Sequence, residues 1–360
     1  MNKTNQKKGG GVLSGLLFLV IGIGVLWYNE GRTVKTQSAI NEASKKYTDV
    51  SSEKIDEKYE GKLVATKGKI NTSESTQLKD DKFGINVQAA KLTRTVEMYQ
   101  WKEECETDDN DKKNCKYEKV WEDSVIDSTE FTQAGHTNPN TLPYENETYI
   151  ADNVKIGAYT LPEELIRKVS NNKKKSTEEL TEEYNKSIEG LNVVDNYLTN
   201  VKENTPEIGD IRISYQYLTD QTVSVLAVQT NNTFEAFTSK KGKDIYEIRT
   251  GNYTGAQILE KMTKSNNTWK WILRFIGTFV VIAAIGSMFS FLTNLTNRIP
   301  ILGNIVSGAT GLISAVLGIA ISLIVIALAW LRYRPLLSII LIAIAVASFV
   351  FLKYYKKNSK

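Results

Sequence analysis

The chain has 360 residues and a formal net charge of +4, but that total averages two unlike regions. All 41 acidic residues lie between Glu30 and Glu260, whereas the flanks 1–29 and 261–360 carry 14 Lys and Arg, no carboxylate and long apolar runs. The middle holds 31 basic against 41 acidic residues, and a mean hydropathy of −0.28 blends the two. Membrane spans exclude carboxylates and cytoplasmic loops collect Lys and Arg, so the pattern excludes a simple soluble globule. It describes an integral membrane protein with one large water-exposed domain.

Covering about 30 Å of hydrocarbon takes roughly 17–25 mostly apolar residues. Val12–Tyr28 meets that requirement, as do Trp271–Leu292, Ile305–Leu331 and Pro335–Leu352. The first run follows Lys3, Lys7 and Lys8, as a signal peptide would, but it ends in Trp27-Tyr28-Asn29-Glu30 without a small-x-small cleavage site. It reads as an uncleaved anchor with an interfacial aromatic end. Those lysines, with Lys353, Lys356, Lys357 and Lys360, place both termini in the cytoplasm and residues 30–268 outside it. Arg332 and Arg334 dissent, since this topology puts them in a short outer turn.

In the outer domain, Leu92–Trp101 is β-prone and Tyr117–Ile126 is its expected mate. Between them lies an acidic tip, Glu103–Lys116, bounded by Cys105 and Cys115; together these suggest a long hairpin. Pro162-Glu163-Glu164 starts a helix, with carboxylates at its positive end. Ser176 and Glu179 have capping-box spacing, with Leu180, Tyr184, Ile188 and Leu191 on one helical face. Ile211–Tyr217 and Thr222–Gln229 are further strands, and Thr254 with Gln257 forms a second capping box. The fold class is an α+β membrane protein. One N-terminal and three C-terminal transmembrane helices flank a mainly antiparallel, β-rich extracytoplasmic domain. Its divisions are 1–29, 30–268 and 269–360.

Chemistry-bearing motifs are sparse. Cys105 and Cys115 would close a small loop in an oxidising compartment, and two free thiols is the alternative. Two Cys and a lone His136 do not supply four zinc ligands. The acidic tip (Glu103, Glu104, Glu106, Asp108, Asp109, Asp111) lacks the Gly and bidentate Glu of a calcium loop and reads as solvated charge. No G-x-S-x-G, P-loop or H-E-x-x-H pattern occurs, so His136 reads as a residue satisfied by backbone groups in a structured loop. Tyr99 and Trp101 read as packing residues. No cofactor, metal or catalytic residue is expected, and nothing points to nucleic acid.

Several blocks resemble the transmembrane protein 43 (LUMA) family. They include Leu26-Trp27-Tyr28-Asn29-Glu30-Gly31-Arg32, Val96–Trp101, His136–Pro139, Gly209–Arg212, Phe237–Gly242, Pro300–Asn304 and Ala329–Leu336, in the family's order. Two places depart from its pattern: the Cys105–Cys115 tip, and Asn297-Arg298 before Pro300, where an acidic residue is usual. The resemblance implies a short cytoplasmic N-terminus, a large lumenal domain and three C-terminal spans. It also implies self-association and membrane organisation. Animal members sit in the endoplasmic reticulum and inner nuclear membrane and bind emerin and lamins. The Asn- and Lys-rich composition points to a prokaryotic member, which would place this chain in the cell membrane.

The resemblance is strongest at Asn29-Glu30-Gly31-Arg32, read as a lock holding the first helix against the other spans. The bland alternative is a juxtamembrane turn freed by Gly31. A Glu30 pair with Arg332 or Arg334 is geometrically possible. The spans contain no Asp, Glu, Lys or His, and Arg274 is near enough to an end to snorkel. That weighs against transport. Ser307, Gly311, Ser314, Ala315 and Gly318 form a small-residue stripe suited to close helix contact, within a protomer or between protomers. A membrane scaffold is the expectation, with the lipid bilayer, further copies of itself and other membrane proteins as partners. An extracytoplasmic enzyme or lipid-handling protein is the alternative.

Overall fold

The computed structural model describes residues 10–107, 113–184, 188–296 and 303–340. In chain order its principal elements are α1 (Gly10–Ala43), β1 (Leu63–Asn71), β2 (Lys91–Thr107), β3 (Lys113–Glu122), α2 (Glu163–Lys168), α3 (Thr177–Glu183), β4 (Ile211–Leu218), β5 (Thr222–Thr230), α4 (Gly255–Thr296) and α5 (Gly303–Tyr333). These form two compact units. The helical unit comprises Met1–Lys45, Thr238–Ile245 and Leu259–Lys360, and the β unit comprises Lys46–Phe237 and Tyr246–Ile258.

The β unit is built on two seven-stranded sheets. In one, β5 runs antiparallel to β1, from Thr222 opposite Lys69 to Val228 opposite Leu63. Thr48–Asp49 adds a short parallel pair to β1. Val223–Ala227 is buried continuously, as befits a central strand covered on both faces. In the other sheet, β4 pairs antiparallel with β2 over eight residues, from Ile211 opposite Met98 to Leu218 opposite Lys91. Along β2, Leu92, Arg94, Val96, Met98 and Gln100 are buried while Thr93, Thr95, Glu97 and Tyr99 are half-buried, the two-residue period of a strand with one face on the core. That core gathers Phe83, Ile85, Leu92, Val96, Met98, Leu165, Ile166 and Tyr215. Burying each such large side chain contributes about 1.5–3 kcal/mol.

Helix starts follow the sequence signals. Ser176 Oγ accepts from the Glu179 amide (3.2 Å), and Glu179 Oε2 accepts from the Ser176 amide (2.8 Å). Thr254 and Gln257 make the same reciprocal pair at α4. The helix begun at Thr177 stops at Glu183, so Ile188 and Leu191 join the core from outside it.

One expectation needs correction, and one alternative falls. The hairpin strands run through both cysteines, with Cys105 directly opposite Cys115, so these lie in the ladder and do not bound a loop; residues 108–112 fall outside the described residues. And α1 is one unbroken 34-residue helix, so Asn29–Arg32 lies inside a helix and forms no juxtamembrane turn.

Leu13–Ala43, Gly255–Phe289 and Gly311–Tyr333 are long and apolar enough to cross a membrane. Their outward faces carry Leu17, Phe275, Phe279 and Leu312, at least 60% exposed, a surface suited to lipid. Leu26, Val281, Ile285 and Val325 pack where α1, α4 and α5 meet. Of the expected fourth span, residues 335–340 are helical and 341–352 fall outside the described residues.

Candidate functional site

Within the helical unit, polar residues converge at the end of the apolar runs. Glu30, one turn past Leu26 on α1, is fully buried. Arg274 of α4 meets its Oε1 with both Nε and Nη2 at 2.7 Å. Trp330 of α5 donates its indole N–H to Oε2 at 2.9 Å. Both carboxylate oxygens are thus occupied, and one side chain joins three helices.

Neighbouring amides extend the knot. Asn29 Nδ2 donates to the Lys270 carbonyl (2.9 Å), and Asn266 Nδ2 donates to the Thr33 carbonyl (3.1 Å). Arg32 donates to Asn266 Oδ1 and Asn29 Oδ1, each at 3.3 Å; among the described residues its guanidinium is held by neutral groups alone, and its buried Nε has no partner. Gly31 lies against the Tyr333 ring, where a Cβ would come within 2.8 Å of Cζ. Only a residue without a side chain fits there. This arrangement fixes helix packing.

The Glu30 pair with Arg332 or Arg334 that the sequence allowed does not form: the partner is Arg274, which turns inward and does not snorkel. Its side chain is only 14% exposed. Arg332 is exposed, and Arg334 sits against the Trp330 ring at 5.9 Å. On the stripe, Gly318 meets the α4 backbone at Ile282, where a Cβ would lie 2.8 Å from Cα, and Ser314 borders Gly286. Among the described residues, no atom lies within 4 Å of a Cβ position at Gly311. Ser307 lies outside the described side chains.

Residues 98–335, two thirds of the chain, match the family of transmembrane protein 43. The chain belongs to that family. It is 27% identical to transmembrane protein 43 of Pongo abelii over 95% of this chain and 89% of that one, and 27% identical to the Homo sapiens protein over 93% and 88%. The transmembrane protein 43 homolog of Drosophila melanogaster is 29% identical over 94% and 93%. No solved structure matches the chain. Family and helices together make this a membrane protein.

The family match covers Arg274 and Trp330 as well as the β2–β3 hairpin. At that hairpin Cys105 and Cys115 form a disulfide across the ladder, with Cα atoms 4.0 Å apart. Glu103 beside it accepts from the Tyr117 hydroxyl and the Thr132 amide, and these hydrogen bonds hold its carboxyl below the usual range. His136 stacks on Tyr117 (3.8 Å between centroids) and meets Trp101 edge-on (4.6 Å), while its Nδ1 has no partner. Aromatic rings, not backbone groups, hold the imidazole. Tyr99 and Trp101 are half-buried on the outer face, and Gln100 between them is the buried residue, bonding Ser124 and Ile126.

Asn266, Lys270, Trp330 and Tyr333 were not singled out in the sequence. A signal existed: Asn266, Lys270 and Arg274 recur at four-residue spacing, which places them on one helix face.

Proposed function

We propose that the chain is a non-enzymatic, multi-pass membrane scaffold. Four spans put both termini in the cytoplasm and hold a β-rich extracytoplasmic domain that assembles with further copies and organises neighbouring membrane proteins. The observation that carries this reading is the closure of Glu30, whose two oxygens are taken by Arg274 and Trp330. A carboxylate engaged on both sides ties helices together; transport and catalysis use groups with a free face. Gly311, with nothing against its Cβ position among the described residues, supports self-association, because a small-residue face lets a second backbone approach.

The experiment compares Gly311→Leu with Gly318→Leu by light scattering in mild detergent and in nanodiscs. Gly311→Leu is expected to lower the oligomer and leave the fold intact. Gly318→Leu, forced against Ile282, is expected to destabilise the helical unit by about 1–3 kcal/mol. A wild-type particle that is monomeric in both media, well above cellular concentration, would sink the scaffold reading and favour an extracytoplasmic enzyme or lipid-handling protein.

A further inference from the structure

The knot around Glu30 leaves an imbalance of charge. From Val12 to Asn41, α1 carries one carboxylate, Glu30, and from Lys261 onward the chain carries none. Against that single acid, this end of the helical unit presents Arg32, Lys270, Arg274, Arg332 and Arg334. Among the described residues, only Arg274 of these is neutralised by a carboxylate.

These cations, the paired Arg274 included, stand among aromatic rings. Arg274 and Arg334 flank Trp330, with guanidinium carbons 5.8 and 5.9 Å from the ring centroid. Lys270 and Arg274 flank Trp271 at 5.7 and 5.0 Å. Trp269 and Trp271 are about half exposed (52% and 53%), and Tyr28 is 66% exposed. Amphipathic rings at the end of an apolar run mark the depth of lipid headgroups. Lys270 Nζ has the neutral Asn267 Oδ1 as its hydrogen-bond partner at 3.0 Å, and Arg334 has only the Trp330 face for its guanidinium among the described residues. Charges at headgroup depth without counter-ions, held on rings and neutral oxygens, are suited to an anion supplied from outside the chain.

We propose that Lys270 and Arg334, bridged by Arg274 and the rings of Trp271 and Trp330, form a binding site for the phosphate of an anionic phospholipid headgroup. The surrounding apolar faces of α4 and α5, with Ile272, Phe275 and Leu331 exposed, take the acyl chains. A zwitterionic lipid brings its own cation and gains less from these charges. Selectivity therefore rests on net charge, and binding weakens as salt screens the site.

The test uses the full chain, delipidated in mild detergent. Phosphatidylglycerol, phosphatidylcholine or inorganic phosphate is added, with binding read by native mass spectrometry and by the shift in melting temperature. Phosphatidylglycerol is expected to bind and raise the melting temperature, more at low salt than at high, with phosphatidylcholine and inorganic phosphate far weaker. Lys270→Gln with Arg334→Gln is expected to weaken phosphatidylglycerol roughly thirtyfold, while Lys264→Gln, whose lysine pairs with Glu260, leaves it unchanged. Equal binding of the two lipids would overturn the proposal, as would a double variant that keeps its selectivity. A response to inorganic phosphate as large as that to the lipid would overturn the lipid assignment. Should the double variant fail to fold, lipid selectivity of the wild-type chain that does not fall with salt overturns it equally. None of these readings depends on the oligomeric state.

Discussion

Each unit buries an arginine–carboxylate pair, and the two are built differently. In the β unit, Arg94 (3% exposed) meets Asp80 (1% exposed), donates to Glu147 Oε2 at 2.8 Å and to the Glu145 carbonyl at 3.1 Å, and lies 5.2 Å from the Phe83 ring. Tyr215 adds a hydroxyl to Asp80 at 2.8 Å. The Glu147 side chain is half exposed, so this second acid stays partly solvated. In the helical unit, Glu30 is alone with Arg274 and an indole, and no second carboxylate is within reach along α1, α4 or α5. A sheet domain in water can afford redundancy around a buried charge. A helix bundle in lipid has a single way to satisfy it, so the same chemistry is more brittle there.

The largest expected effect tests that contrast. Removing one partner of a buried pair leaves an uncompensated charge and costs about 3–5 kcal/mol, whereas replacing both with apolar residues is close to neutral. Glu30→Gln and Arg274→Gln should each destabilise the helical unit by about that amount, and Glu30→Leu with Arg274→Leu should recover most of the loss. Asp80→Asn leaves Arg94 its bond to Glu147 and should cost less, about 1–3 kcal/mol. Denaturant unfolding in detergent checks this, with hydrogen exchange of α1, α4 and α5 following the helical unit and that of β2, β4 and β5 the β unit. Equal losses for Glu30→Gln and Asp80→Asn would break the comparison.

What the sequence made legible differs between the units for physical reasons. Charge segregation, apolar length and capping boxes are local, so the spans and the starts of α3 and α4 could be read directly. Glu30 and Arg274 lie 244 residues apart, and no local pattern pairs them. Arg274, four residues into its apolar run, satisfied a snorkelling geometry equally well; only the packed helices decide between the two. The hairpin was read too short because β-prone residues end at Trp101. The ladder continues on paired opposite charges, Lys102 facing Glu118 and Glu104 facing Lys116, which hydrophobic alternation does not register.

A smaller effect is expected at that hairpin. The disulfide closes a loop of ten-residue separation, and loop-closure entropy assigns it about 2–3 kcal/mol. Because the ladder beyond Trp101 is half exposed and lies outside the core, Cys105→Ser with Cys115→Ser should loosen residues 102–119 in hydrogen exchange and leave the helical unit unchanged. In intact cells, an impermeant maleimide should label these cysteines after reduction only. Labelling without reductant would mean free thiols, and no labelling after reduction would place the domain on the cytoplasmic side.

The smallest effect is a difference in alkaline stability. In the β unit, burial pushes up the phenols of Tyr215, Tyr149 and Tyr246. Asp80 adds to the shift at Tyr215, Glu147 does so at Tyr149, and Glu164 and Glu235 do so at Tyr246, which reaches about 12. An unfolded tyrosine ionises near pH 10, so these groups favour the fold fully below about pH 10. Above it the unfolded chain releases protons that the folded chain keeps, and the contribution is lost as pH rises through the folded values. Tyr246 is partly exposed and donates only to the Phe234 carbonyl at 3.1 Å, which limits its share to about 1–2 kcal/mol. Urea unfolding of the β unit should therefore be flat below about pH 9 and fall steeply toward about pH 11, less so in Tyr246→Phe. Phenolate absorbance should show Tyr149 and Tyr215 ionising together with loss of the fold. If they titrate near pH 10 while the sheets remain intact, the Asp80–Arg94–Tyr215 cluster is open to water, and the contrast with the sealed Glu30 site becomes sharper still.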